Sequence, residues 1–280
     1  MKKLFLTFVV VALAVACLAT VVACGGNDNN KPSGKEQLVV ATETGFAPFE
    51  YKNGEKLYGI DMAIMAEIAK KLDMDLVVED MDFKAVVTSV EKGLCDVAAA
   101  ALTVTPERQE SINFTDAYYK ASQVVLVKAD NTKFDACKTK EDVENVIKAY
   151  PNGTKAAFQA GTTGEGYVGN NKNLKPQPYD KVGLAANELV NGGVEIIIVD
   201  KAPADAIVKS MNKNGAKVKA IKINLTDEDY AFGVAKGNDE LLSKINAAYK
   251  ELEANGTIDK IMDAYFSGGE IKPVETVAKK

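Results

Sequence analysis

No histidine occurs anywhere in the 280-residue chain. Its absence excludes Ser-His-Asp and Cys-His catalysis and removes the commonest zinc ligand. Cysteine is sparse as well. Cys17, Cys24, Cys95 and Cys137 stand at spacings that match no CxxC or other metal motif, so neither a metal site nor a cofactor is expected. Positive charge is in deficit, the formal net charge being −5. An acidic surface repels a phosphate backbone, and nucleic acid is not an expected partner. What is present is globular material, 47% apolar and 26% charged, in a length that suits one large domain or two lobes.

Lys2 and Lys3 form a positive n-region, and Leu4 to Ala23 is almost wholly apolar. Such a segment addresses a chain to the secretion machinery before it says anything about fold. It ends in Val21-Val22-Ala23-Cys24-Gly25, which resembles the lipobox of bacterial lipoproteins with Val where Leu is usual. The expectation is a signal peptide over residues 1–23, with Cys24 as the lipidation site. An uncleaved membrane helix is the alternative, since a run of this length just spans a bilayer. On either reading the lysines stay inside and the rest lies outside the cytoplasm. After Cys24, Gly25 to Glu36 contains no apolar side chain apart from glycine and proline, and residues 24–36 read as a flexible tether.

From Gln37 onward strand and helix patterns alternate. Leu38 to Ala41 is a short β-type run, and Asp61 is expected to cap a helix whose Ile60, Ile64, Ile68 and Leu72 share one face. Asp75 to Glu79 reads as a strand, Phe83 to Lys92 as a helix, and Cys95 to Leu102 as a buried strand. A βαβαβ order predicts a parallel sheet covered by helices. The order returns with strands at Lys155–Gln159, Val194–Val199 and Val218–Ile223, and helices at Asp180–Val190 and Ala202–Met211. Tyr230 to Val234 is followed by helices at Asp239–Ala254 and Ile258–Phe266. Two such α/β units imply two lobes with a ligand cleft between them.

Five places carry candidate chemistry. Thr105-Pro106-Glu107-Arg108 reads as a helix start, and the Arg108 guanidinium fork suits a carboxylate; a surface pairing with Glu107 or Glu110 is the plainer alternative. Asp200 ends an apolar strand at the edge where open α/β sheets bind ligands, and it suits an ammonium group or simply caps the next helix. The turn Gln159-Ala-Gly-Thr162-Thr163-Gly164 can aim backbone amides at an anion, or serve only as a turn. Phe46, Phe49 and Phe83 sit in loops at strand ends, where aromatics line clefts as well as cores. Glu43 would add a second acid beside Asp200.

With these positions in place, the chain resembles the family 3 solute-binding proteins, the polar amino acid receptors of ABC transporters, and among them most of all the glutamine-binding ones. Thr42-Glu-Thr-Gly-Phe46, Tyr58-Gly-Ile-Asp61, Thr103-Val-Thr-Pro-Glu-Arg108, Ala231-Phe-Gly-Val-Ala-Lys-Gly237 and Leu252-Glu-Ala-Asn-Gly-Thr257 carry the likeness, which covers nearly all of Gln37 to Gly268. The resemblance implies an α/β, two-lobed periplasmic-binding-protein fold of type II. Lobe 1 would comprise residues 37–117 and 230–268, and lobe 2 residues 124–223. Hinge strands would lie at 118–123 and 224–229, and residues 269–280 would form a disordered polar tail.

The resemblance also makes Arg108 the clamp for a ligand α-carboxylate and Asp200 the acceptor for its α-ammonium. Thr103, Thr162 and Thr163 would bond the same main-chain atoms, and Phe46 and Phe83 would sandwich the side-chain stem. Glutamine-binding members carry a lysine where this chain has Gln159, and a histidine where it has Val199. With no lysine expected opposite it, Glu43 would be an unpaired acid and favour arginine, lysine or glutamine over glutamate. Partners implied are a free amino acid and a transporter permease, with the chain monomeric and held to the membrane by its lipid. Cys95 and Cys137, in different lobes, are expected to be free. The alternative function is a dehydratase-type enzyme on the same fold, with Glu43 or Glu165 as its acid.

Overall fold

The protein is described by a computed structural model covering residues 34–280. The expected signal peptide, the expected lipidation site Cys24 and the expected tether as far as residue 33 lie outside the described residues.

The chain starts in lobe 1 with β1 (Gln37–Thr42), a small meander of β2 (Gly45–Phe46), β3 (Glu50–Asn53) and β4 (Lys56–Tyr58), and then α1 (Ile60–Lys71). It continues through β5 (Asp75–Asp80), α2 (Phe83–Glu91), β6 (Val97–Ala98), α3 (Pro106–Ser111) and β7 (Ile112–Phe114). After β8 (Tyr119–Ala121) it enters lobe 2, formed by β9 (Gln123–Lys128), α4 (Lys140–Lys148), β10 (Thr154–Gln159), α5 (Thr163–Gly169) and β11 (Leu174–Tyr179). Lobe 2 is completed by α6 (Val182–Asn191), β12 (Ile196–Asp200), α7 (Lys201–Lys213) and β13 (Val218–Ile221). The chain returns by β14 (Glu228–Tyr230) and ends in lobe 1 with β15 (Gly233–Ala235), α8 (Asp239–Ala254), α9 (Thr257–Asp263) and a π-helical turn over Ala264–Gly268.

Each lobe holds a five-stranded sheet, in the orders β5-β1-β6-β15-β7 and β11-β10-β12-β9-β13. The sheets are mixed and not purely parallel, a correction to the expectation. The βαβ units give β5, β1 and β6 their parallel pairing, but the strands nearest the hinge run the other way. A chain that leaves a lobe and later returns to it crosses the sheet in the opposite sense. β8 and β14 pair antiparallel between the lobes, Tyr230 opposite Tyr119. The segment that precedes the C-terminal helices holds two strands, β14 in the hinge pair and β15 in the lobe 1 sheet.

Burial explains the sequence periodicity. Ile60, Ile64 and Ile68 of α1 are fully buried, as are Val125, Val127, Ile196 and Ile198 in lobe 2. Each such side chain stabilises its lobe by about 1.5–3 kcal/mol relative to exposure. The helix start differs from expectation. Gly59, at φ 137°, occupies the cap position of α1, and Asp61 turns inward to accept hydrogen bonds from the Ala101 amide and the Tyr118 hydroxyl.

The C-terminal residues also depart from the disordered tail expected. The Val274 amide donates to Leu57 O at 2.8 Å and the Val277 amide to Leu76 O at 2.9 Å, while the Gln37 side chain donates to Ala278 O. β5 is the outer strand of its sheet, and unpaired edge groups are ready partners for an extended segment. Among the described residues no helix is long and apolar enough to cross a membrane.

Candidate ligand-binding site

The strand ends and turns that face the hinge gather the expected site residues. Eight of the nine line one cavity between the lobes: Phe46, Phe83, Thr103 and Arg108 from lobe 1, and Gln159, Thr162, Thr163 and Asp200 from lobe 2. Ala101 completes the lining. The cavity measures about 10 Å³, room for about one water. The lobes are thus closed on one another around a space smaller than an amino acid. A wider groove of about 760 Å³ lies on the hinge side, bordered by α7 and Tyr265-Phe266. It shares Asp200 with the cavity but contains neither Arg108 nor the threonines, so the chemistry belongs to the smaller space.

Arg108 is placed by local structure. Thr105 caps α3 by accepting from the Arg108 amide at 3.2 Å, with Pro106 at the first turn. The guanidinium donates to Thr103 O at 2.7 Å and across the cleft to Gly161 O at 2.9 Å. It lies 5.4 Å from the centre of the Phe83 ring, a cation–π distance. Burial pulls its pKa below the ordinary arginine value, against the pull of Asp200 and Glu228. Arg108 is the only arginine in the sequence.

Asp200 sits at the lobe 2 end of the hinge and is 5% exposed. It occupies the cap position of α7 without making a side-chain cap bond; its carboxylate instead accepts from the Tyr230 hydroxyl. Burial raises its pKa to about 6, with Glu228 adding to the rise and the Tyr230 and Gln123 hydrogen bonds opposing it.

Glu228, on β14, was not foreseen. Its Oε2 accepts from the Thr103 hydroxyl at 2.8 Å and the Thr163 hydroxyl at 2.9 Å, one from each lobe, and its Oε1 accepts from Thr226 at 2.7 Å. Each threonine spends its only hydroxyl proton on Glu228, which leaves Thr103 facing the cavity as an acceptor. The turn after β10 likewise differs from an open anion cradle. Its Gly161 amide donates to Glu165 at 2.7 Å and its Thr162 amide to Gln159 O at 3.3 Å. Tight turns consume their own amides, and sequence alone does not tell which ones stay free.

Glu43 lies just behind the cavity, 1% exposed. The expectation that no lysine faces it is corrected here. Lys181 Nζ stands 2.9 Å from Glu43 Oε1, and Gln159 Nε2 donates to Oε2 at 2.9 Å. Parallel pairing of β10 with β11 brings the end of β11, and with it Lys181, beside Gln159. Of the two acids named for an enzymatic reading, Glu43 is thus held in an ion pair and Glu165 is bonded within its turn. Phe49 is not in the cavity. It is fully buried in a hinge aromatic cluster, 5.0 Å from Tyr119 and 5.1 Å from Tyr230. Cys95 and Cys137 are free thiols, as expected.

A family model described as bacterial extracellular solute-binding proteins, family 3, matches residues 38–268. The chain belongs to this family. Like the solute-binding protein structures it resembles, it has two sheet-containing lobes in the type II arrangement. The arginine-binding extracellular protein ArtP of Bacillus subtilis is 27% identical over 264 residues, covering 91% of this chain and 96% of ArtP. An ancestral arginine-binding protein solved with glutamine is 36% identical with a TM-score of 0.74, over 84% of this chain and 99% of that one. An ancestral arginine-binding protein solved with arginine is 34% identical with a TM-score of 0.72, over 83% and 99%.

Proposed function

We propose that this solute-binding protein captures a free L-amino acid with a donor-bearing or basic side chain and delivers it to an ABC-type importer. The observation that carries the reading is the pair Arg108 and Asp200, a cation and an acid from opposite lobes lining one cavity. A zwitterion supplies the complementary charges. Its α-carboxylate takes the Arg108 fork from Thr103 O and Gly161 O, and its α-ammonium is met by Asp200 and the Thr103 oxygen. Closure around the ligand makes and breaks no covalent bond. Relatives named for arginine binding, and solved structures holding glutamine or arginine, favour the same class.

Side-chain preference no longer rests on an unpaired Glu43. It rests on Gln159, 3% exposed, whose Oε1 has no hydrogen-bond partner while its Nε2 serves Glu43 and Asp180 O. A buried unpaired acceptor calls for a donor. Glutamine, arginine and lysine provide one, whereas a glutamate side chain would set its oxygens against Gln159 Oε1 and Glu43. Around this body we infer a monomer carried on the membrane by a lipid on Cys24 and the tether that follows it.

Thermal unfolding of the full chain against the twenty amino acids tests the reading. A specific ligand at a hundredfold excess over its Kd should stabilise by about 2.7 kcal/mol. The shift should vanish in Arg108→Ala. No shift with any amino acid would overturn the proposal.

A further inference from the structure

The Lys181–Glu43 contact joins the lobes beside the cavity. Lys181 precedes α6 without making a side-chain cap bond, and its side chain is 46% exposed against 1% for Glu43. Its ammonium is free to come from solvent, whereas the carboxylate is fixed. The nearby Glu43 carboxylate raises the Lys181 pKa above the ordinary lysine value, so the ammonium stays charged. Gln159 holds the second oxygen of Glu43; it lines the cavity, and its own Oε1 is buried without a hydrogen-bond partner. The region a ligand side chain reaches thus contains one acid already matched by a cation, and one neutral acceptor that is not matched.

We propose that Lys181 is a specificity-determining residue: a tethered cation that occupies the place on Glu43 which the charged end of a basic ligand requires, so that the closed site selects an uncharged amide side chain over arginine and lysine. The inference rests on the amino-acid reading given above and deepens it. A basic ligand has to expel Lys181 from Glu43 and then share the closed cleft with it, cation beside cation. Lys181 competes intramolecularly, at an effective concentration set by its short side chain, in the millimolar range or above. A glutamine-type amide meets neither obstacle. Its NH₂ donates to Gln159 Oε1, and the Lys181–Glu43 pair stays intact. Selection here works by a built-in repulsive element as well as an attractive one.

Calorimetric titration of the full chain and of Lys181→Met, Lys181→Gln and Lys181→Arg with glutamine, arginine and lysine tests this. The wild type should bind glutamine more tightly than arginine. Both neutral variants should move the glutamine-to-arginine affinity ratio toward arginine by about tenfold or more, the scale of one exchanged ion-pair contact. Lys181→Arg, which keeps the cation, should keep the wild-type order. The neutral variants leave Glu43 buried without its cation, so their unfolding midpoints without ligand should fall, whereas Lys181→Arg keeps the pair and should keep the midpoint. Neutral variants with an unchanged ratio would overturn the role of Lys181 and leave the receptor reading standing. A wild type that already prefers arginine tenfold would do the same. Failure of every variant and of the wild type to bind any of the three would instead remove the amino-acid reading, and this inference with it.

Discussion

The Tyr230 hydroxyl donates a 2.5 Å hydrogen bond to Asp200, so a hinge residue helps to set the charge of the acid that faces the cavity. Burial lifts Asp200 to about 6, and the Tyr230 bond holds it from rising further. An ammonium ligand needs the ionised acid. Amino-acid affinity is therefore expected to fall as pH drops through about 6, approaching a tenfold loss per pH unit below it. In Tyr230→Phe the lost hydrogen bond lets the pKa climb, so the break should move to higher pH and affinity at pH 7 should weaken. Calorimetry from pH 4.5 to 8 reads both effects. A profile flat across pH 6 would remove Asp200 from ammonium binding.

Glu228 supports a second expectation. As an acceptor-only group it fixes the hydroxyl protons of Thr103 and Thr163 away from the ligand. An amide in its place can donate to one of those oxygens and turn the threonine proton around, toward the ammonium. Glu228→Gln should weaken amino-acid binding by about tenfold, the equivalent of one charge-assisted hydrogen bond. Its unfolding midpoint should change little, because size and shape are kept. Wild-type affinity in this variant would show that the threonine orientation is set elsewhere.

How far the sequence could be read depends on how local each signal is. The structure places α8 at the expected Asp239 to Ala254, where the Asn238 side chain caps it by accepting from the Leu241 amide. Arg108 and Asp200 were visible because a charged residue at a helix start and another at a strand end each break a local pattern. Arg108 being the sole arginine was a further signal in plain sight. Lys181 and Glu228 were not legible. A lysine after a strand and an acid in a polar connection look like ordinary surface residues, and only the meeting of two lobes gives them partners. The tail failed for the same reason, since its order comes from the free edge of β5 and not from its own composition.

Asp61 links the lobe 1 core to pH. Burial raises its carboxyl from 3.8 to about 7, against hydrogen bonds from Tyr118 and Ala101. Nearby Glu50, fully buried with neither oxygen bonded, is raised well above its usual value, chiefly by burial. Between pH 3.8 and 7 the folded state keeps a proton that the unfolded chain releases, so stability declines as pH rises through that window and Asp61 costs stability above it. Asp61→Asn mimics the neutral acid, with an oxygen for the Ala101 amide and an NH₂ for the Tyr118 oxygen. Relative to wild type it should gain on the order of 1–3 kcal/mol at pH 8 and little at pH 4. Urea unfolding at the two pH values measures the difference, and an equal change at both would show that Asp61 does not titrate in the folded core.

Gly59 gives the sharpest steric expectation. Its φ of 137° is open to glycine, and a Cβ there would stand 1.9 Å from Phe49 O, a backbone atom that cannot step aside. The same carbonyl accepts from the Asp61 amide at 3.0 Å, and Pro48 O accepts from the Ile60 amide, so the loop carrying Phe46 and Phe49 seals the start of α1. The Gly59 amide itself donates to the Tyr265 hydroxyl at 2.8 Å. Gly59→Ala must push this loop away or unwind the first turn, at about 3 kcal/mol or more. Gly54 is the matched control, also at positive φ but with no atom within 4 Å of the place a Cβ would take. Gly54→Ala should cost only about 1–2 kcal/mol, the penalty of the left-handed conformation itself. Denaturant midpoints compare the two. If both alanines cost the same, the close approach to Phe49 is relieved without disturbing the fold. If Gly59→Ala costs far more and also weakens ligand binding, the seal between the Phe46 loop and α1 is what holds that wall of the cavity in place.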